Sequence, residues 1–342
     1  MARFIKTLKK TALAASIASL ATVANATIVT SIKPLGFIAS SIADGVTDTE
    51  VLVPAGASPH DYSLKPSDIQ KLQGAELILW VGEDIDAFLD KTLRPMPFKK
   101  VLSIADFAEI GGLLEGEAHD HKHEHDHTHK HDHDHKHDHD HKHDHAHKHE
   151  HDHKHDHEHK HDHAHGHEHD HSTNWHVWYS PEISKIVATR LATRLTEAYP
   201  EKKEKIAQNL AEFNRTLAEQ SEKIKQQLAP VKEKGFYVFH DAYSYFNNAY
   251  GLKQTGYFTI NPLVAPGAKT LAKIKQEIKE HKVNCLFAEP QFTPKVIESL
   301  SKGTGVHVGR LDPMGDAVKL GVNSYANFLQ YTADSYFACL SK

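Results

Sequence analysis

Five isolated histidines carry the clearest metal-binding chemistry in this sequence. The chain has 342 residues and 32 histidines, and 27 of these occupy every odd position of residues 119–171. The other five histidines lie singly along the chain, at His60, His176, His240, His281 and His307. Neutral imidazole is a common ligand for Zn²⁺, Cu²⁺ and Ni²⁺, whereas Mn²⁺ prefers oxygen ligands. Isolated histidines that a fold brings together would therefore hold a metal of the first group.

Three of the five histidines stand where a fold could gather them. His60 and His240 each follow a run of strand-forming residues, and His176 lies where the histidine repeat rejoins ordinary sequence. Open α/β sheets bind ligands just beyond the carboxyl ends of their strands. His281 lies in a polar helix pattern and is predicted to be on the surface, whereas His307, inside a short strand, is predicted to be structural. We therefore expect His60, His176 and His240 to bind one metal ion.

The elements that would position these histidines alternate between strand and helix on both sides of the repeat. This alternation predicts an α/β fold with parallel sheets in two (β/α) lobes. Apolar residues at three- and four-residue steps predict one long helix between Pro200 and Pro230, about 42 Å in length at 1.5 Å per residue. We therefore assign residues 27–200 to an N-terminal lobe, 201–229 to a linking spine helix, and 230–342 to a C-terminal lobe.

The local patterns also predict individual elements. Ser180 before a proline predicts a capped helix start. Strands are predicted at residues 27–32, 50–53, 77–81, 235–240, 255–258, 283–288 and 306–308, and helices at 34–43, 66–73, 269–280 and from 324.

The histidine repeat at 119–171 predicts a disordered loop that binds metal weakly. Its alternate positions hold fifteen acidic residues and seven lysines, so neither face of a strand would be apolar. A purely solubilising linker is the alternative. The repeat also contains HExxH strings, but it matches them by composition and lacks the helix that a metalloprotease needs. The acidic excess in the repeat exceeds the net charge of −5 of the whole chain. No basic stripe with interleaved aromatics suggests a nucleic-acid partner.

The N-terminus predicts export. Residues 1–26 combine a basic start, a short apolar stretch and a small-x-small end, so we interpret them as a signal peptide cleaved between Ala26 and Thr27. The mature protein would then lie between two membranes, in the periplasm. In that oxidising compartment, the only two cysteines, Cys285 and Cys339, predict one disulfide, because they lack the CxxC spacing of a zinc site.

Three motifs make the chain resemble a known family. Residues 51–62 (VLVPAGASPHDY) with 65–68 (KPSD), then 175–181 (WHVWYSP) and 239–243 (FHDAY), are similar to the metal motifs of cluster A-I solute-binding proteins of ABC transporters. The match is closest to the zinc-uptake members, the ZnuA-like proteins, and covers residues 27–342. The resemblance implies Zn²⁺ held in the cleft between the lobes. It also implies delivery to an inner-membrane ABC permease with its cytoplasmic ATPase, by a protein that is a monomer and not an enzyme.

By the same resemblance, His60 and His176 would come from the first lobe and His240 from the second. The fourth ligand stays open between Asp312, which matches a carboxylate of manganese-binding members, Glu289 and water. Glu289 is the weaker candidate and is expected instead to be structural or to support a ligand. Three imidazoles and one oxygen suit tetrahedral Zn²⁺, although Cu²⁺ and Ni²⁺ are not excluded.

Other features of the site rest on the sequence alone. The neighbouring carboxylates Asp61 and Asp241 could receive the second ring N–H of a ligand histidine. Two rival functions are a metallochaperone that needs no transporter and a zinc hydrolase, for which no motif supplies a general base.

Overall fold

The structure is a computed structural model that describes residues 27–116, 173–291 and 295–342. The expected signal peptide at 1–26 and the expected histidine-rich loop at 119–171 lie outside these residues. The described residues up to Glu115 and from Asn174 onward belong to one compact unit.

The elements before residue 200 alternate between short strands and helices. In chain order they are β1 (Thr27–Thr30), α1 (Lys33–Ile42), β2 (Asp48–Val51), α2 (Pro66–Gly74), β3 (Leu77–Trp80), α3 (Glu83–Asp86), α4 (Asp90–Leu93), β4 (Val101–Ser103), β5 (Glu115–Gly116), β6 (Thr173–Asn174) and α5 (Pro181–Ala198).

The elements after residue 200 repeat the alternation behind one long helix. They are α6 (Lys203–Leu228), β7 (Phe236–His240), α7 (Ser244–Tyr250), β8 (Gln254–Thr259), α8 (Ala268–Lys279), β9 (Cys285–Ala288), α9 (Lys295–Thr304), β10 (His307–Arg310) and α10 (Ser324–Leu340).

Two four-stranded parallel sheets organise the fold, and they share one strand order. The first sheet runs β2-β1-β3-β4, and the second runs β8-β7-β9-β10. In each sheet the first two strands in sequence pair with each other, and the chain then crosses to the other side of its first strand. The carboxyl ends next to this switch are where such sheets bind ligands. The predicted fold class, two parallel sheets with a long helix, is confirmed.

The long helix α6 packs against helices from both halves of the chain. Its buried residues lie three, four or seven residues apart, so they share one face. The helix contacts α1 and α5 before it and α7 and α10 after it. One buried cluster extends from Ile28 in β1 to Leu340 in α10, so the two sheets share a continuous core. At 1.5 Å per residue, the 26 residues of α6 span about 39 Å.

Several local predictions are confirmed, and others are corrected. Ser180 caps α5 by accepting a hydrogen bond from the N–H of Ile183 at 3.2 Å. His281 is exposed, as predicted. His307 lies in a short strand, β10, as predicted, but this strand is at the edge of its sheet and the side chain is exposed, which does not support the expected structural role. The sequence patterns missed the short elements α3, α4, β4, β5, β6 and α7, and also α9.

The second half of the chain carries a covalent link. Cys285 in β9 is bonded to Cys339 in α10, which ties the sheet to the C-terminal helix. None of the described helices is long and apolar enough to cross a membrane.

Candidate metal centre

His60, His176 and His240 come together in one cluster. One potential ligand atom from each ring lies within 4.8 Å of those of the other two. Among the described residues, this is the group of metal-ligand side chains that could hold an ion. The structure thus gathers the three histidines selected from the sequence and leaves His281 and His307 outside.

His240 is positioned by the central strand of the second sheet. It is the last residue of β7, in which every residue is buried, and β7 pairs with β8 and β9 on its two sides. Its Nδ1 lies 2.7 and 2.8 Å from the two carboxylate oxygens of Glu289, which directly follows β9. The hydroxyl of Tyr243 donates to the same carboxylate at 3.0 Å. Because a carboxylate accepts, Nδ1 carries the proton and Nε2 offers a lone pair.

His176 is positioned by the segment between β6 and α5. Its Nδ1 and its main-chain N–H lie 2.7 and 3.0 Å from Oδ1 of Asn174. The indole of Trp178 packs against its ring with 5.2 Å between the centroids, and Trp178 itself donates to the carbonyl of Pro313 at 3.1 Å. These contacts turn Nε2 of His176 toward His240.

His60 is positioned by the loop that follows β2. Its ring centroid lies 5.6 Å from that of His176 and 5.6 Å from that of His240. Its main-chain N–H donates to the hydroxyl of Ser58 at 3.3 Å. The same loop is tied to the second half where the N–H of Gly56 donates to Asp316 at 2.7 Å. His60 is partly exposed, whereas the other two histidines are buried.

The distance between the two inner rings matches zinc coordination. Nε2 of His176 and Nε2 of His240 are 3.2 Å apart. Two nitrogens bound to tetrahedral Zn²⁺ at 2.0–2.1 Å are separated by about 3.3 Å. Burial and the neighbouring His240 ring lower the pKa of His60 to about 3. Burial and the two neighbouring rings hold the pKa of His176 well below its usual value. Both rings are therefore neutral and free to bind a cation at pH 7.

The space enclosed by the cluster is small. Its cavity of about 10 Å³ is close to the minimum for a single water molecule. It is lined by Ser58, Pro59, His60, His176, Trp178, His240, Glu289, Gln291, Pro313 and Met314. A cavity of this size has room for a single ion between the three rings.

The carboxylates proposed from sequence take other roles. Oδ1 of Asp312 accepts hydrogen bonds from Gln291 and from the N–H of Met314, and Oδ2 accepts from the N–H of Asp316 at 2.7 Å. Asp312 thus holds its own loop and lies outside the cluster. Glu289 contacts His240 on the side away from the other rings, so it supports a ligand instead of acting as one.

The residues that orient the rings were only partly suggested by the sequence. The carboxylate on His240 is Glu289, in the supporting role expected for it from the sequence, and not Asp241; Asp61 is exposed. Asn174 was missed altogether. Its only sequence signal was its place two residues before His176, at the end of the repeat.

The fold and the cluster define an α/β protein with a three-histidine metal centre between two parallel sheets. The chain belongs to the family ZnuA, described as "Zinc-uptake complex component A periplasmic", which matches residues 28–339. This confirms the resemblance found in the three motifs.

Individual relatives support the same assignment. The chain is 70% identical to the "High-affinity zinc uptake system protein ZnuA" of Haemophilus influenzae, over 98% of this chain and 99% of the relative. It is 54% identical to the protein of the same description from Haemophilus ducreyi, over 98% and 99%. A solved structure described as "Crystal structure of ZnuA" shares the fold, with a TM-score of 0.67 and 22% identity over 92% of this chain and 99% of that one.

Proposed function

We propose that this chain is the periplasmic zinc-binding protein of a high-affinity ABC import system and that it captures Zn²⁺ with His60, His176 and His240. The observation that carries the proposal is the pair of inner rings, whose Nε2 atoms are 3.2 Å apart and face each other. Two lone pairs held this close repel each other unless a cation lies between them. The 70% identity to a zinc-uptake protein over nearly the whole chain supports zinc as that cation.

The family supplies the partners and the compartment. Its members are periplasmic zinc-binding components of an uptake system, not enzymes. Such a component serves an ABC permease with an attached ATPase. We further propose that the mature chain acts as a monomer, that residues 1–26 are its signal peptide, and that 27–200 and 230–342 form lobes linked through 201–229.

The fourth zinc ligand would be water, because Glu289 and Asp312 both bind protein donors. The repeat at 119–171 would be an accessory zinc binder, because its 27 histidines offer ligands for several ions.

Zinc titration against a competing chelator tests the proposal. The measurement uses the purified chain with and without residues 119–171. One tight site should survive the deletion, and the weak sites should disappear. Replacing His60, His176 or His240 with alanine should each weaken the tight site by more than about 100-fold, because losing an outer-sphere partner alone costs 10–100-fold.

The exposed His307 provides a matched control, since His307→Ala removes an imidazole outside the cluster. The zinc affinity of the tight site in this variant should stay within about threefold of that in the unmodified chain. Loss of the tight site on deletion of 119–171, with no effect of the three alanine variants, would contradict the assignment.

A further inference from the structure

Asn174 makes a hydrogen-bond network that joins His176 to the residue directly after His240. Its side chain is 2% exposed. Oδ1 accepts from the main-chain N–H of His176 at 3.0 Å and lies 2.7 Å from Nδ1 of the same residue. Nδ2 donates to the carbonyl of Asp241 at 2.8 Å and to the hydroxyl of Ser244 at 3.2 Å. Asp241 is the residue directly after His240.

The partners of Asn174 determine which way its amide points. A carbonyl can only accept, so the atom facing Asp241 must be the NH₂ group. A main-chain N–H can only donate, so the atom facing His176 must be the oxygen. Both ends give the same orientation, and neither depends on the protonation of a histidine.

This orientation fixes the proton on the ring of His176. An amide oxygen 2.7 Å away accepts only, so Nδ1 of His176 must be the protonated nitrogen. In a neutral imidazole the other nitrogen, Nε2, then carries the lone pair. That atom is the one that faces His240 across the centre.

We propose that Asn174 is a positioning residue of the metal centre. It selects the Nδ1–H tautomer of His176 and ties this ligand to the strand end that carries His240. This inference rests on the function proposed above, because orienting the two Nε2 atoms matters only if a metal ion binds to them. A second hydrogen bond strengthens the tie, since the side-chain hydroxyl of Tyr245 in α7 donates to the main-chain carbonyl of Asn174 at 2.6 Å.

Asn174 differs in kind from Glu289. Both hold a ring by its Nδ1–H, but the amide is neutral and also donates to the neighbouring segment. The amide therefore fixes the position of His176 relative to His240 without adding a charge to the site. Loss of an outer-sphere partner of this type typically weakens metal affinity 10–100-fold.

Two substitutions separate the roles of the amide. Asn174→Ala removes both the acceptor for His176 and the donor to Asp241, and should weaken zinc binding 10–100-fold. It should also let His176 populate its Nε2–H tautomer, which the ¹⁵N shifts of the ring report in the zinc-free protein. Asn174→Asp keeps an acceptor for Nδ1–H but loses the donor to Asp241. It should retain the Nδ1–H signature and lose part of the affinity.

The buried Asn209 provides a matched control. Its Nδ2 donates to the carbonyls of Ile42 and Asp44 at the end of α1, and neither of these residues belongs to the histidine cluster. Asn209→Ala should lower the unfolding temperature and leave zinc affinity within about threefold of the unmodified chain.

The outcomes distinguish this inference from the function itself. An Nε2–H tautomer at His176 in the unmodified zinc-free chain would overturn the inference, whatever the variants do. Unchanged zinc affinity in Asn174→Ala, or an equal loss in Asn209→Ala, would also overturn it. If the unmodified chain has no tight zinc site, the proposed function fails as well. If Asn174→Ala does not fold, the tautomer and affinity of Asn174→Asp decide, and an Nε2–H tautomer in that variant overturns the inference.

Discussion

The two parallel sheets share a strand order but use the end of their first strand differently. In the first sheet, Ser31 follows β1 and its hydroxyl donates to the buried Asp86 at 2.8 Å. In the second sheet, the matching strand β7 ends at His240, whose ring donates to the buried Glu289. Both carboxylates lie in the segment after the third strand of their sheet.

The difference lies in the donors around each carboxylate. Asp86 also accepts from the main-chain N–H of Val81 at 2.8 Å, so its network closes on the backbone and stabilises a turn. Glu289 receives donors from side chains, and one of them is an imidazole with a second nitrogen. The second ring nitrogen of His240 is free of the carboxylate and faces His176. The end of the first strand therefore carries a structural bond in the first sheet and the proposed metal ligand in the second.

The largest effect on stability is expected from the disulfide, which lies entirely in the second half of the chain. Reducing the Cys285–Cys339 bond, with 54 residues of separation, should lower the free energy of unfolding by about 4 kcal/mol. Urea unfolding of the oxidised and reduced zinc-free chain measures this loss. Zinc affinity at 25 °C should stay within about threefold. A tenfold change would show that the bond also shapes the metal centre.

The paired carboxylates should differ in their effect on zinc. Glu289→Gln keeps the shape of the side chain but removes the charge that faces His240, and should weaken zinc binding 10–100-fold. Asp86→Asn should change the affinity by less than about threefold. Chelator competition on both variants measures the contrast. Equal losses would mean that the two positions do not differ in function.

The smallest effect is expected in the pH dependence of the first sheet. Burial raises the pKa of Asp86 to about 7, whereas the unfolded chain has an aspartate pKa of about 3.9. Between these values the folded state holds more protons than the unfolded state. The stabilising contribution is thus complete below pH 4 and is lost as the pH rises through 7.

From pH 6 to pH 8 this loss amounts to about 1 kcal/mol. The unfolding free energy of the zinc-free chain should fall by that amount relative to Asp86→Asn. A difference between the two proteins that does not change with pH would contradict the prediction.

Much of the architecture follows from the sequence because its causes are local. Strand and helix periodicity predicted both α/β halves and the long helix, and Ser180 before a proline predicted the start of α5. The identity of the three ligand histidines also came from local context, since each stands beside a strand end or a motif that requires it.

The contacts around those ligands depend on tertiary structure. Glu289 lies 49 residues from His240, and only the pairing of β9 with β7 brings them together. Asp312 matches a ligand position in sequence, yet the N–H groups of its own loop hold its carboxylate. Asn174 carries no motif, and its role arises from acceptors on a distant segment. Sequence alone thus determined which side chains could bind a metal. The tertiary structure determined where the inner rings point. The pairing of β9 with β7 brings Glu289 to Nδ1 of His240, and Asp241 and Ser244 hold the amide of Asn174 that fixes the ring of His176.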